Sequence, residues 1–241
     1  MIPYLRLEVV RTLRSGAYIG YTIGFPTVFY LLFTTLFKTG PTDGGPGYAA
    51  YFMISMALYG TIGVGLTSSG ARIAHERTTQ WTRQLALTPL RPSAYVSVKV
   101  ISAALLAVPV IGLIMLVGRF VNGVELPWYT WVALFPALVV GGLPFAALGI
   151  AIGYTFRDEV AQMVSLTVYF MLSMAGGLWM PASVFPGWLE TVATSLPTYR
   201  AGELSWRLLD GLSPLSWGSL TLLGWSAAFV GLAAWRYRVA R

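Results

Sequence analysis

Six long runs of apolar residues with almost no charge dominate this chain and leave few folds open to it. They cover roughly residues 18–37, 49–70, 96–118, 129–154, 160–180 and 216–235. Each run has about 20 or more residues, enough for an α-helix to cross the roughly 30 Å hydrocarbon core of a bilayer. Only 10% of the residues are charged, whereas soluble domains have about 25%. A soluble helical core would lack polar surface, so the sequence predicts an all-α membrane protein with six transmembrane helices.

The distribution of Lys and Arg predicts how these helices are oriented. The N-terminus, residues 71–95 with Lys99, the turn at residues 156–159 and the C-terminus together carry twelve Lys and Arg, and the opposite side carries four. Loops on the cytoplasmic side of a membrane are enriched in these residues. We therefore expect both termini to be cytoplasmic, and we expect Lys99, near the end of a span, to extend its side chain to the interface.

Residues 1–16 precede the first run and predict an amphipathic helix at the cytoplasmic membrane surface. Its apolar side chains fall within one helical arc: Ile2, Leu5, Val9 and Leu13. Glu8, Arg11 and Arg14 lie elsewhere on the helix, so we expect them to face water. The alternative is a plain polar segment leading into the first span.

Two of the runs carry glycines at helical spacing. Gly16, Gly20 and Gly24 follow one another at intervals of four at the start of the first run, and Gly149 and Gly153 share a face of the fourth. Glycines at this spacing allow another helix to approach closely. The pattern predicts a helix–helix contact at each of the two stripes.

The other side of the first run is aromatic, and the fifth run carries an apolar face rich in methionine, which suits adaptable binding surfaces. The residues concerned are Tyr21, Phe25, Phe29, Met163, Phe170 and Met174. Two interpretations stay open. Either these side chains border a substrate path or a subunit interface, or they pack in the core and face lipid.

Residues 181–214 join the last two runs and are too long and too apolar for an ordinary loop. Prolines divide this segment, and Leu189, Val192, Ala193 and Leu196 share one helical face. We expect short re-entrant helices that enter the outer leaflet and satisfy their backbone groups through contacts with the protein.

Residues 71–95 form the longest polar stretch with a cationic bias and predict a surface that a partner contacts. Trp81 and Leu85 are four residues apart and share a helical face, and aromatic anchors dominate protein interfaces. We expect a short helix over residues 76–88 that docks on a partner, and prolines that end it. His75 has no second histidine at metal-ligand spacing and is expected to be a solvated loop residue.

The chain contains no nucleotide-binding P-loop and no cysteine, and its six runs contain no Asp, Glu or His. A proton-coupled carrier needs titratable groups inside the membrane. No paired carboxylates, zinc motif or serine–histidine arrangement favours an enzyme. These absences disfavour an enzyme and a proton-coupled carrier and predict no catalytic residue, metal or cofactor in this chain, with a membrane scaffold or enzyme kept as the alternative.

Three stretches resemble those of ABC-2 type transporter permeases: HERTTQWTRQLALTPLRPSAYVSVKV, LGIAIGYTFRDEVAQM and GGLWMPASVFPGWLETVATSLPTYRAGELSW. The first is similar to the coupling loop of that family, with Gln80 where the family often has Gly. The residues that match its pattern are Glu76, Arg77, Gln84, Leu85, Thr88, Pro89 and Leu90. The likeness covers nearly the whole chain and is to bacterial multidrug or antibiotic exporters of the daunorubicin–doxorubicin type.

The resemblance implies one transmembrane domain over residues 1–241 that works as a homodimer or heterodimer in the bacterial inner membrane. Each copy would bind a separate ATPase subunit, which holds ATP and Mg²⁺. The implied coupling residues, together with the proposed anchor Trp81, are Glu76, Arg77, Trp81, Gln84, Leu85 and Thr88. The expected cargo is a hydrophobic or amphiphilic drug or antibiotic, and the alternative is a lipid or polysaccharide intermediate.

Overall fold

The computed structural model describes residues 2–16, 19–36, 47–80 and 92–239, and its regular structure in these ranges is helical. The described ranges contain ten α-helices, and two π-helical segments, Ile19–Gly24 and Thr67–Ala71, precede the second and the fourth. The helices are α1 Ile2–Leu13, α2 Phe25–Leu36, α3 Tyr48–Leu66, α4 Arg72–Thr78, α5 Pro92–Phe120, α6 Trp128–Thr155, α7 Asp158–Ala175, α8 Gly187–Ser195, α9 Pro197–Leu209 and α10 Trp217–Val239.

In the described part of the chain, four helices are long and apolar enough to cross a membrane, and they coincide with four of the six expected spans. They are Tyr48–Thr78, Tyr95–Phe120, Trp128–Thr155 and Trp217–Val239. The other two expected spans are helical, but one is too short and the other has too low a mean hydropathy to count as a membrane-crossing helix. Gly20–Leu36 is a shorter apolar helix, and the first turns of α7 carry Asp158, Glu159 and Gln162, which lower its mean hydropathy.

Helix α3 forms the centre of the bundle, since every residue from Phe52 to Leu66 is buried. It packs against α2, α5, α6, α7 and α9, while α10 packs against α6 and α9, and α1 packs against α5. A helix that is apolar on all sides is expected at such a position. The π-helical segment Thr67–Ala71 continues α3 directly into α4.

The glycines of α6 lie where its backbone meets that of α3. A Cβ atom added at Gly149 would lie 2.7 Å from the carbonyl oxygen of Gly65, and one at Gly153 would lie 2.5 Å from that of Gly70. Side chains larger than hydrogen do not fit at these distances. This contact places α6 directly on the segment that leads into α4.

The first glycine stripe, Gly16, Gly20 and Gly24, is not aligned along a close helix crossing of this kind. Gly16 and Gly20 are exposed, and a Cβ at either would meet no described atom within 4 Å. Gly24 is half-buried at the end of a π-helical segment that begins at Ile19. The wider turn of a π-helix breaks the spacing of four that would align the three glycines. Among the described residues, no helix therefore lies against Gly16 or Gly20.

The segment between the last two runs folds into short helices, with α9 inserted among longer ones. The indole of Trp206 stacks on Tyr51 at 4.9 Å between ring centroids and donates a hydrogen bond of 3.2 Å to Ser55 Oγ. The hydroxyl of Thr198 donates to the carbonyl oxygen of Leu172 at 2.6 Å. These contacts attach α9 to α3 and α7.

Candidate functional site

The candidate site lies at the end of the bundle where α4 stands between α1, α5, α6 and α7. Helix α4 ends at Thr78, and Gln80 follows with a φ of +61°, a left-handed conformation that favours glycine. The prediction of a single helix over residues 76–88 was therefore wrong at its start, because Glu76 and Arg77 belong to α4 and the chain turns at Gln80. Trp81, Gln84, Leu85 and Thr88 lie outside the described residues.

Three charged side chains from three helices meet in the interior beside α4. The ammonium of Lys99 on α5 donates to Glu8 Oε1 on α1 at 2.8 Å and to Glu76 Oε1 on α4 at 2.7 Å. Lys99, Glu8 and Glu76 are only 1%, 3% and 4% exposed. Charges removed from water to this extent persist only when they are paired and hydrogen-bonded. The three residues are therefore one interdependent cluster.

Arg72 and Tyr95 complete this buried charge cluster. Arg72 Nε lies 3.2 Å from Glu8 Oε1, and the same guanidinium donates to the hydroxyl of Thr12. Tyr95 donates to Glu76 Oε2 at 2.5 Å. Two carboxylates face two cations, so the cluster carries no net formal charge. The surroundings are closed as well, since Tyr4 stacks on Tyr95 with 6.2 Å between ring centroids.

The environment of Tyr4 shows how dry this region is. Burial raises the pKa of its hydroxyl, and the nearby carboxylates of Glu76 and Glu8 raise it further, so the phenol stays protonated. An ionised Tyr4 would add a third negative charge beside the two carboxylates. The cluster thus keeps its balance of charges with neutral tyrosines around it.

Two expectations about these residues were wrong. Lys99 does not extend to the interface, and Glu8 does not face water, because each finds its counter-charge inside the bundle. The inner face of α1 carries Tyr4, Glu8 and Thr12 beside the half-buried Leu5 and Val9, and Leu13 of the predicted apolar arc is exposed. Lys99, Glu8, Arg72 and Tyr95 are thus the site residues that the sequence did not reveal.

Two further side chains attach α4 to the neighbouring helices. Arg77 donates to the carbonyl oxygen of Gly153 on α6 at 2.9 Å, and its guanidinium lies over the ring of Tyr154 at 5.5 Å. His75 Nδ1 lies 2.6 Å from Asp158 Oδ2 at the start of α7. His75 is exposed, but its place on a helix beside a carboxylate corrects the expectation of a solvated loop residue.

Polar contacts therefore attach this one short helix to four others: Arg72 and Glu76 reach α1 and α5, Arg77 reaches α6, and His75 reaches α7. A displacement of α4 would act on all of these helices at once. Within the described ranges, no group of three or more His, Asp and Glu side chains is placed to hold a metal ion. The arrangement is suited to mechanical transmission.

A second feature lies on the side of α3 that faces α2 and α7. Phe25 on α2 contacts Phe29 at 4.3 Å and Phe170 on α7 at 6.3 Å between ring centroids. Tyr59 and Trp179 join the same group, which we call the aromatic cluster. Tyr21, Met163 and Met174 lie on exposed positions of the same two segments. The sequence-predicted residues of the first and fifth runs thus come together at Phe25 and Phe170.

Comparison with known proteins finds two matches. The profile of the ABC-2 family transporter protein matches residues 34–236. The chain is also 31% identical over 216 residues to "Putative transport permease YvfS" of Bacillus subtilis (strain 168), an alignment that covers 90% of this chain and 87% of that protein. The profile match spans the helices α3 to α9 and nearly all of α10, so it includes α4 and the helices α5, α6 and α7 that α4 contacts.

Proposed function

The chain belongs to the ABC-2 family of transporter permeases, and from this premise we propose that it is the membrane half of an exporter driven by a separate ATPase chain. Membership identifies a transport subunit rather than an enzyme. The family implies an ABC ATPase partner and a dimeric arrangement. In this proposal each of two permease copies binds one ATPase subunit, and ATP and Mg²⁺ are held in that partner.

The observation that carries the proposal is the attachment of α4 to four other helices. In the proposal, the ATPase docks on residues 76–88, with Trp81 and Leu85 as apolar anchors, and closure of the ATPase pair moves α4. Glu76 and Arg77 lie on α4 itself and pass the displacement to α5 and α6. The remaining docking residues, Gln84 and Thr88, supply polar contacts at the rim, where each contributes little alone.

The first experiment separates docking from transmission. Trp81→Ala combined with Leu85→Ala should leave insertion and dimerisation intact but abolish co-purification of the ATPase. Arg77→Met should retain the ATPase and lose cargo-stimulated hydrolysis, because the bond to the carbonyl oxygen of Gly153 is removed. Trp217→Ala with Leu215→Ala changes the same residue types at exposed positions before and at the start of α10 and serves as the control. A docking variant that keeps both ATPase binding and stimulated hydrolysis refutes the proposal.

We place α4 and both termini on the cytoplasmic side, as the distribution of Lys and Arg predicts. The chain has no native cysteine, so single cysteines report the topology directly. Asn122→Cys and Ser213→Cys should react with a membrane-impermeant maleimide added outside intact cells, and Thr79→Cys should react only after the cells are opened. Labelling of position 79 from outside would reverse the orientation.

We propose that the cargo is a hydrophobic or amphiphilic compound, such as a drug or antibiotic, and that it passes the exposed edge of the aromatic cluster. Phe170 is exposed beside Phe25, and Met163 and Met174 extend the same surface along α7. Aromatic and methionine side chains adapt to apolar ligands of different shape.

The test of this path compares variants with a matched control. Phe29→Ala or Phe170→Ala should change the order of preference among a panel of cargoes severalfold while basal hydrolysis by the partner stays within about twofold. Phe120→Ala removes an exposed phenylalanine at the end of α5 and should change neither. An unchanged cargo profile in both variants would exclude this surface as the path.

A further inference from the structure

The outer surface of α1 carries a pattern that the coupling role does not use. Its inner side is formed by Tyr4, Glu8 and Thr12 with the half-buried Leu5 and Val9 beside them, and the remaining arc is exposed. That arc alternates cationic and apolar side chains around the helix in the order Leu13, Arg6, Val10, Arg14, Leu7 and Arg11. Leu7, Val10 and Leu13 are 52%, 39% and 39% exposed.

The charges on α1 are separated completely between its two faces. Glu8, the one acidic residue in positions 1–16, is buried against Lys99 and Arg72. The exposed arc therefore has three positive charges and no negative one. Arginines interspersed with aliphatic residues fit a membrane surface because their long side chains extend the guanidinium groups to the phosphates while the aliphatic side chains enter the acyl region.

We propose that this arc binds the headgroups of anionic phospholipids in the leaflet beside α1. Zwitterionic headgroups offer no net charge to three arginines, so the partner is an acidic lipid and not lipid in general. The bound lipid holds α1 from outside while Glu8 holds it to α4 and α5 from inside. Because Glu8 connects α1 to α4 and α5, the bound lipid would also affect coupling, and this consequence rests on the proposed function. The binding of the lipid itself does not.

The experiment uses the full-length protein without its ATPase, so its outcome is independent of the coupling proposal. Val10→Cys, labelled with a bimane fluorophore, is reconstituted into nanodiscs of phosphatidylcholine and phosphatidylglycerol. Either lipid is supplied in turn with a nitroxide on its acyl chain, and quenching by the two is compared at equal total composition. Because the depth of the nitroxide is the same in both lipids, the ratio measures which headgroup is enriched beside α1.

Quenching by the labelled phosphatidylglycerol should exceed that by the labelled phosphatidylcholine by about twofold or more at position 10, since each cation near an anionic surface adds to the local concentration of acidic lipid. The ratio should fall to one when Arg6, Arg11 and Arg14 are replaced by Gln. Leu223→Cys, at an exposed position of α10, should give a ratio of one throughout.

Two results would overturn the proposal. A ratio of one at position 10 in the protein with all three arginines means that α1 does not select acidic lipid. A raised ratio that persists in the triple Gln variant means that some other part of the molecule attracts it.

Discussion

Replacing Lys99 by Met is the most direct test of the buried charge cluster. Met nearly conserves the length and volume of the side chain, so the change removes the charge and little else. The ammonium bonds of 2.8 Å to Glu8 and 2.7 Å to Glu76 are lost, and two carboxylates that are almost completely buried remain with Arg72 alone. Removing one partner of a buried ion pair costs about 3–5 kcal/mol. We expect a loss of that size in the free energy of unfolding, measured by SDS titration in mixed micelles with near-UV circular dichroism.

A second substitution shows whether charge balance is the cause. Lys99→Met combined with Glu76→Gln leaves Glu8 paired with Arg72 at 3.2 Å, and the amide oxygen of the substituted side chain can still accept the hydrogen bond from Tyr95. The cluster is again neutral, so the double variant should recover more than half of the stability lost by Lys99→Met. Losses that simply add would refute the argument from charge balance.

The matched control is an ion pair at the surface, where water screens the attraction between the two charges. Arg119 Nη1 lies 3.4 Å from Glu125 Oε1, and the two side chains are 48% and 85% exposed. Surface pairs of this kind contribute about 0–1 kcal/mol. Arg119→Met should therefore change the unfolding free energy far less than Lys99→Met, and equal losses would mean that burial does not set the cost.

Four further substitutions test local features by the same unfolding measurement. Gly149→Ala should lower the free energy of unfolding by about 1–3 kcal/mol, because its Cβ would meet two backbone oxygens of α3 at 2.7 and 2.9 Å. Gly112→Ala, in the middle of α5, should raise it by about 0.5–1 kcal/mol, because a Cβ there meets no described atom within 4 Å. Equal effects at the two glycines would contradict the close crossing. Gln80→Gly should gain up to about 1 kcal/mol by relieving a φ of +61°, and a loss would mean that the glutamine side chain is itself required. Tyr169→Phe should lose about 1 kcal/mol with its buried 2.9 Å hydrogen bond to the carbonyl oxygen of Tyr59, and no change would show that this bond has no net value.

The helical class and four of the candidate membrane spans could be predicted from hydropathy, because length and apolar content are properties of one segment at a time. The pairing of Lys99 could not. Its partners Glu8 and Glu76 lie 91 and 23 residues away in the chain, on two other helices. A lone cation near the end of an apolar run is ordinarily assumed to reach water. One cue was available, since Lys99 and Glu8 are opposite charges placed near the same predicted end of the bundle.

The two glycine stripes show the same limit for packing. Gly149 and Gly153 lie within a regular α-helix, so their spacing of four aligns them on the face that meets α3. Gly16 and Gly20 have the same spacing, but a π-helical segment begins at Ile19 and rotates the stripe out of register. Spacing predicts a shared face only where the helix type is known, and nothing in the sequence of residues 16–24 distinguishes the two helix types.

The crossing of α3 and α6 has a kinematic consequence. Where two helices touch through side chains, rotamer changes can absorb small displacements, but at Gly65 and Gly149 the contact is between backbones. In the proposed coupling mechanism, α3, α4 and α6 would therefore move as one rigid body. Helix α7 is buried only along the stripe Ala161, Ser165, Tyr169 and Ser173. Sliding of α7 along that stripe is the displacement that we expect to accompany such a movement.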